Sequence, residues 1–81
     1  MTYTTTSIIV PAWNEAERIE ATVAAIRRAA RGREPVEIIV VDDGSSDATA
    51  AAAEAAHVDR VVRLPRRTGK GSALAAGLRE A

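Results

Sequence analysis

Two adjacent carboxylates, Asp42 and Asp43, end a run of β-branched residues and open onto the smallest polar side chains, in the stretch IIVVDDGSSDAT. Where a buried strand gives out, its carbonyls stop pairing within a sheet and a side chain can face a ligand. A carboxylate there can accept hydrogen bonds from a ribose hydroxyl or from the N–H of a base. Such contacts discriminate, because leaving a buried polar partner unpaired costs about 1–3 kcal/mol. Gly44 permits the turn, and Ser45 or Ser46 is available to cap the next helix. The structural alternative is that the aspartates cap that helix and favour its positive end. Asp47 suits capping better than Asp43, since one cap does not require a pair.

These side chains need a scaffold, and the chain supplies one. Ser7 to Val10 is a β-branched apolar run, and Pro11, which cannot donate to a sheet ladder, is expected to end strand 1. Asn14 can cap a first helix with Glu17 reaching back to it, and Ile19, Val23, Ile26 and Ala30 form one helical face. Gly32 stands where a left-handed cap would follow. Val36 to Val41, apolar on both faces apart from Glu37, predicts a central parallel strand covered on both sides. Asp47 to Ala56 is nearly all alanine and predicts helix 2. Val58, Val61, Val62 and Leu64 suggest a shorter strand 3 ending at Pro65, and Ala73, Leu74, Gly77 and Leu78 a third helical stripe. The order βαβαβα implies a parallel sheet with right-handed crossovers, an α/β, three-layer αβα, Rossmann-like arrangement. Every sharp turn lies at the carboxyl end of a strand, the edge where open α/β sheets bind ligands. Strand order 3-2-1 would put helices 1 and 2 on one face and helix 3 on the other. Strand 1 would then present an unpaired apolar edge, an invitation to self-association.

Composition bounds the reading. With 81 residues the chain is one domain at most, and with no Phe and only Trp13 and Tyr3 as aromatics its core is thin. Eleven basic and eleven acidic residues cancel, which removes the electrostatic footprint of a nucleic-acid binder or a polybasic membrane anchor. Zero cysteines exclude a disulfide framework and a thiolate metal site. The N-terminus carries no signal-peptide pattern, so a cytoplasmic location is expected.

Three segments in register, SIIVPAWNEAERI, EIIVVDDGSSDAT and TGKGSALAAGL, resemble the N-terminal nucleotide-sugar-binding part of a family 2 glycosyltransferase with the GT-A fold. The resemblance covers essentially the whole chain, residues 1–81 being one partial domain. It implies that Pro11, Ala12, Trp13 and Glu15 pass along the nucleotide of a sugar donor, Trp13 standing where the family often has Tyr. It implies that Asp43 contacts the donor's base, with Asp42 beside it, and that Lys70, with Arg67 a second candidate, lies toward the diphosphate, whose charge a cation can offset. The implied activity is transfer of a hexose-like sugar from a nucleotide-diphosphate donor, UDP- or GDP-linked, to an unspecified acceptor, lipid-linked or saccharide, with inversion. A lipid-linked acceptor would tie the enzyme to a membrane through segments outside these residues. The family's Asp-x-Asp, which holds Mg²⁺ or Mn²⁺, does not occur in the 81 residues. The metal ligands and the catalytic base are therefore expected outside this chain, and the chain alone is expected to be inactive. A non-catalytic nucleotide-binding module is the alternative.

Bland readings stand beside these. Trp13 could plug the small core rather than stack on a base, Arg66 and Arg67 could be a solvated loop pair, and His57 reads as a surface residue ending helix 2. Rival motifs fail on spacing. Leu64 stands where a P-loop needs its first glycine, and Gly71 replaces the Ser/Thr after Lys70. The Gly69-Lys70-Gly71 turn lacks the third glycine of a dinucleotide fingerprint.

Overall fold

The computed structural model describes residues 5–33 and 35–81; Tyr3 lies outside the described residues. The elements alternate as β1 (Thr6–Ala12), α1 (Ile19–Ala29), β2 (Val36–Asp42), α2 (Thr49–Ala55), β3 (Arg60–Arg63) and α3 (Lys70–Glu80). All strand pairs are parallel, and the order is β1-β2-β3, with β2 central as its run of β-branched residues demands. Ile38 and Val40 face one side of the sheet and pack with Ile19 and Val23 of α1 and Ala53 of α2. Ile39 and Val41 face the other and pack with Ala73 and Ala76 of α3. The result is three layers, αβα, with α3 the one described helix on its face.

Strand β1 does not stop before Pro11. It runs through to Ala12, with Pro11 opposite Val41. The amide of Thr6 donates to the Pro35 carbonyl, and the Ala12 carbonyl accepts from the Asp43 amide, so even-numbered residues of β1 point at β2. Odd-numbered Pro11 turns its nitrogen away from the ladder, and the missing donor breaks no bond.

Other expectations need correction. Asn14 does not cap α1. That helix begins at Ile19 with Arg18 in the cap position and no capping side chain, and Asn14 sits at φ 50° with its side chain turned to another loop. Neither Ser45 nor Ser46 caps α2, which starts at Thr49 rather than Asp47. The α3 stripe is rotated from the expected one. Ala73, Ala76 and Gly77 are buried, whereas Leu74 and Leu78 are exposed. The reason is distance: a β-carbon on Gly77 would stand 2.4 Å from Ile9 Cγ2, so only a small-residue face can lie this close to the sheet. Gly32 does take the left-handed conformation, at φ 81°. Arg27, on the polar side of α1, donates to the Ala56 and His57 carbonyls at 2.7 Å each and satisfies the open end of α2.

Candidate functional site

The three turns at the carboxyl edge of the sheet converge, and two of them are locked together. The Asn14 amide donates to Ser45 Oγ (2.9 Å), the Glu15 amide to Thr49 Oγ1 (2.9 Å), and the Ala16 amide to Asp47 Oδ2 (3.2 Å). In return the Ser46 amide donates to Asn14 Oδ1 at 2.9 Å. Thr49, fully buried, donates its hydroxyl hydrogen bond to Asp47 Oδ1, which also accepts from the Thr49 amide. The Thr49 hydroxyl accordingly holds the Asp47 carboxyl below its usual range. Asp47 thus bonds the first residue of α2 without standing in its cap position, which Ala48 occupies, and reaches across to the β1–α1 turn as well.

The third turn is held by Asp43. Its Oδ1 accepts from the Thr68 amide (2.7 Å) and the Thr68 hydroxyl (2.8 Å), and its Oδ2 from the Gly69 amide (2.9 Å). The Thr68 amide is the main reason that the Asp43 carboxyl titrates below its ordinary value, ahead of the burial that opposes it; the Arg67 charge adds to the lowering. Gly44 completes the fit. At φ 71°, it lies so close to the neighbouring turn that a β-carbon would stand 2.3 Å from the Arg66 carbonyl carbon and the Arg67 nitrogen. Gly69, at φ 100° and ψ 158°, uses backbone space that is close to glycine-only and leads straight into α3.

Between these turns lies a cleft of about 320 Å³ lined by Val10, Pro11, Ala12, Trp13, Glu15, Asp43, Arg67 and Lys70, with Ile19 and Thr22 of α1. Of the residues singled out in the sequence, Pro11, Ala12, Trp13, Glu15, Asp43 and Lys70 share this cleft. Asp42 does not. Its Oδ1 accepts from the Ser45 amide at 3.0 Å, and it borders a separate hollow with Gly44, Asp47 and Arg63. Successive residues of an extended chain point oppositely, which is why two neighbouring aspartates part company. Trp13 is 39% exposed and is no core plug. The Arg67 guanidinium lies over its ring, 3.7 Å from the centroid, so Arg67 is not merely solvated either.

Chemically the cleft offers an aromatic face, two cations and two carboxylates that are already engaged. Glu15 accepts from Arg18 Nε at 2.8 Å and Nη2 at 3.0 Å, and this pair lowers the Glu15 pKa. Asp43 Oδ2 accepts one bond and has room for a second. That geometry suits recognition of a planar, N–H-bearing group rather than proton abstraction. Among the described residues no three His, Cys, Asp or Glu side chains converge as a metal-holding group. With Glu15 turned to Arg18 and Asp43 to Thr68 and Gly69, the two cleft carboxylates do not fit a divalent ion as a set. The sequence reading missed Thr68, Thr49 and the Gly44 approach. The pairing of Asp43 with a Thr-Gly dipeptide 25 residues on carries no periodic signal.

Comparison with known proteins agrees with this architecture. The chain is 40% identical to the undecaprenyl-phosphate 4-deoxy-4-formamido-L-arabinose transferase of Pectobacterium carotovorum subsp. carotovorum, over 93% of its own length and 25% of that protein's. Among solved structures it is similar to the mannosyltransferase PcManGT from Pyrobaculum calidifontis in complex with GDP-Man and Mn²⁺. There the TM-score is 0.82 at 34% identity, covering 99% of this chain and 25% of that one. It is also similar to glucosyl-3-phosphoglycerate synthase from Mycobacterium tuberculosis in complex with Mn²⁺, UDP and phosphoglyceric acid. That match has a TM-score of 0.77 at 37% identity, covering 95% of this chain and 29% of that one. The same synthase is known in complex with Mg²⁺ and UDP. The chain spans about a quarter of the length of the curated relatives it matches. The fold is the GT-A, Rossmann-like one of these neighbours, and residues 7–81 match the family described as Glycosyl transferase family 2: the chain belongs to glycosyltransferase family 2.

Proposed function

We propose that the cleft binds the nucleoside diphosphate of a sugar donor, and that the protein serves an inverting sugar transfer from that donor. The observation that carries this reading is the convergence of Trp13, Asp43, Arg67 and Lys70, from three different turns, on one cleft. Asp43 Oδ2 accepts an N–H from the base while its other bonds hold the β3–α3 turn, and the Trp13 ring supplies a stacking surface. Lys70, in the first turn of α3, lies on the diphosphate side, where its charge offsets that of the ligand. Asp42 acts as a positioning residue, through its bond to Ser45. A divalent ion at the diphosphate belongs to the same reading and needs ligands other than Glu15 and Asp43. The location is taken to be cytoplasmic, and the acceptor, saccharide or lipid-linked, is recognised by residues other than these. No helix among the described residues is long and apolar enough to cross a membrane. Self-association of the isolated chain through the open side of β1 completes the reading; a monodisperse monomer in sedimentation would refute that part.

Titration calorimetry with UDP and GDP, each with Mn²⁺, tests the central statement. Saturable heat with one of them is expected, with affinity at least about tenfold lower in Asp43→Asn. The asparagine amide would oppose a donor of Thr68 or Gly69, so the turn could not be held on both sides. No heat at millimolar nucleotide, or an unchanged affinity in the variant, would refute the assignment.

A further inference from the structure

We propose that Arg67 is a selectivity residue: its guanidinium covers the Trp13 face that a nucleobase would take, so a nucleoside stacking there must displace it, and only a diphosphate gives it an anionic new partner. The inference rests on the nucleotide reading of the cleft and extends it.

The guanidinium is planar, lies 3.7 Å from the indole centroid, and belongs to a residue that lines the same cleft as the ring. A base stacked on that face and a guanidinium stacked on that face exclude each other. The backbone that carries Arg67 is fixed on both sides. Residues 66 and 67 lie against Gly44, and the next two amides are bonded to Asp43. Only the side chain, which is exposed, is left to swing. An exposed cation–π contact is worth about two- to five-fold in an equilibrium constant, and every base that enters loses it. A nucleoside offers only neutral carbonyl and hydroxyl acceptors in exchange. A diphosphate does, because a guanidinium forms paired, charge-assisted bonds with phosphate oxygens, and Lys70 in the same cleft already marks a cationic side. The stacked arginine therefore sets a threshold that discriminates against nucleosides lacking phosphate.

The test compares uridine with UDP, and guanosine with GDP, by titration calorimetry on the wild-type chain, Arg67→Ala and Arg67→Lys. In Arg67→Ala the nucleoside should bind about two- to five-fold more tightly and its diphosphate more weakly, so that the preference for diphosphate falls about tenfold. Arg67→Lys keeps the charge but not the plane; it should also tighten nucleoside binding yet retain diphosphate affinity. Trp13 is the sole tryptophan, so its emission reports displacement directly. Diphosphate binding to the wild type should change it as the base replaces the guanidinium, and an emission left unchanged at saturation would overturn the displacement. Weaker nucleoside binding in Arg67→Ala would mean that the arginine sandwiches the base, and would overturn the proposal. So would a preference for diphosphate in Arg67→Ala equal to that of the wild type. Wild-type chain that binds neither ligand overturns the nucleotide reading together with this one.

Discussion

Replacing Gly44 with alanine should damage stability and nucleotide binding together, because one atom intrudes on the contact that brings two turns together. The new β-carbon would lie 2.3 Å from the Arg66 carbonyl carbon and the Arg67 nitrogen, against the 3.4 Å at which ordinary contact begins. Those atoms are backbone, so the β3–α3 turn as a whole must retreat by about 1 Å, and it carries the Thr68 and Gly69 amides that Asp43 holds. Alanine at φ 71° adds a left-handed penalty of about 1–2 kcal/mol, and overpacking typically adds about 1–3 kcal/mol. The sum, about 2–5 kcal/mol, is a large part of the ~4–12 kcal/mol expected of an 81-residue domain. At about 4–8 °C per kcal/mol it should lower Tm by about 10 °C or more. Far-UV circular dichroism during heating measures this, with calorimetric nucleotide titration at a temperature where the variant is still folded. Gly71→Ala is the control: a β-carbon there meets nothing within 4 Å, and a helix position gains up to about 1 kcal/mol from alanine. A Gly44→Ala protein that melts within 2 °C or so of wild type and binds nucleotide equally well would refute the argument from close approach.

Gly77→Ala should separate α3 from the sheet, since its β-carbon would meet Ile9 Cγ2 at 2.4 Å and Val41 Cγ2 at 3.1 Å. Overpacking of about 1–3 kcal/mol outweighs the helix-propensity gain of up to about 1 kcal/mol, so the urea midpoint should fall; an unchanged midpoint would contradict the packing described. Acid should weaken the fold in a defined window. Asp43 has its pKa lowered chiefly by the Thr68 amide, and Asp47 by the Thr49 hydroxyl. A carboxylate with a depressed folded pKa stabilises fully above its unfolded value of about 3.9, and that contribution is lost as pH falls through the lower folded value. Tm should therefore be level above about pH 5, fall below about pH 4, and fall less steeply in Asp43→Asn.

The layer structure was legible because β2 is apolar on both faces and the short connections permit few topologies. Val36 to Val41 has to be central, and the alternation of its side chains assigns the helices to opposite sides. What could not be read are partnerships between turns distant in sequence. The Asn14 side chain had an available donor in its own helix and another 32 residues away at Ser46, and only the convergence of the turns selects the second. Asp43 likewise waits for Thr68 and Gly69. Pro11 misled because its effect depends on which neighbour its nitrogen faces, and Leu74 and Leu78 because hydrophobicity ignores how closely Gly77 allows a helix to approach. The cleft residues were recognisable by type, while the direction of Asp42 depended on strand pleat.

The amides of residues 14, 15 and 16 are each answered by a different side chain between positions 45 and 49. A residue inserted into either turn would carry every donor past its acceptor at once, so neither turn can change length alone. Variation in what the cleft admits must then come through point changes at its rim, as at Trp13 and Arg67, while the outline of its mouth stays constant.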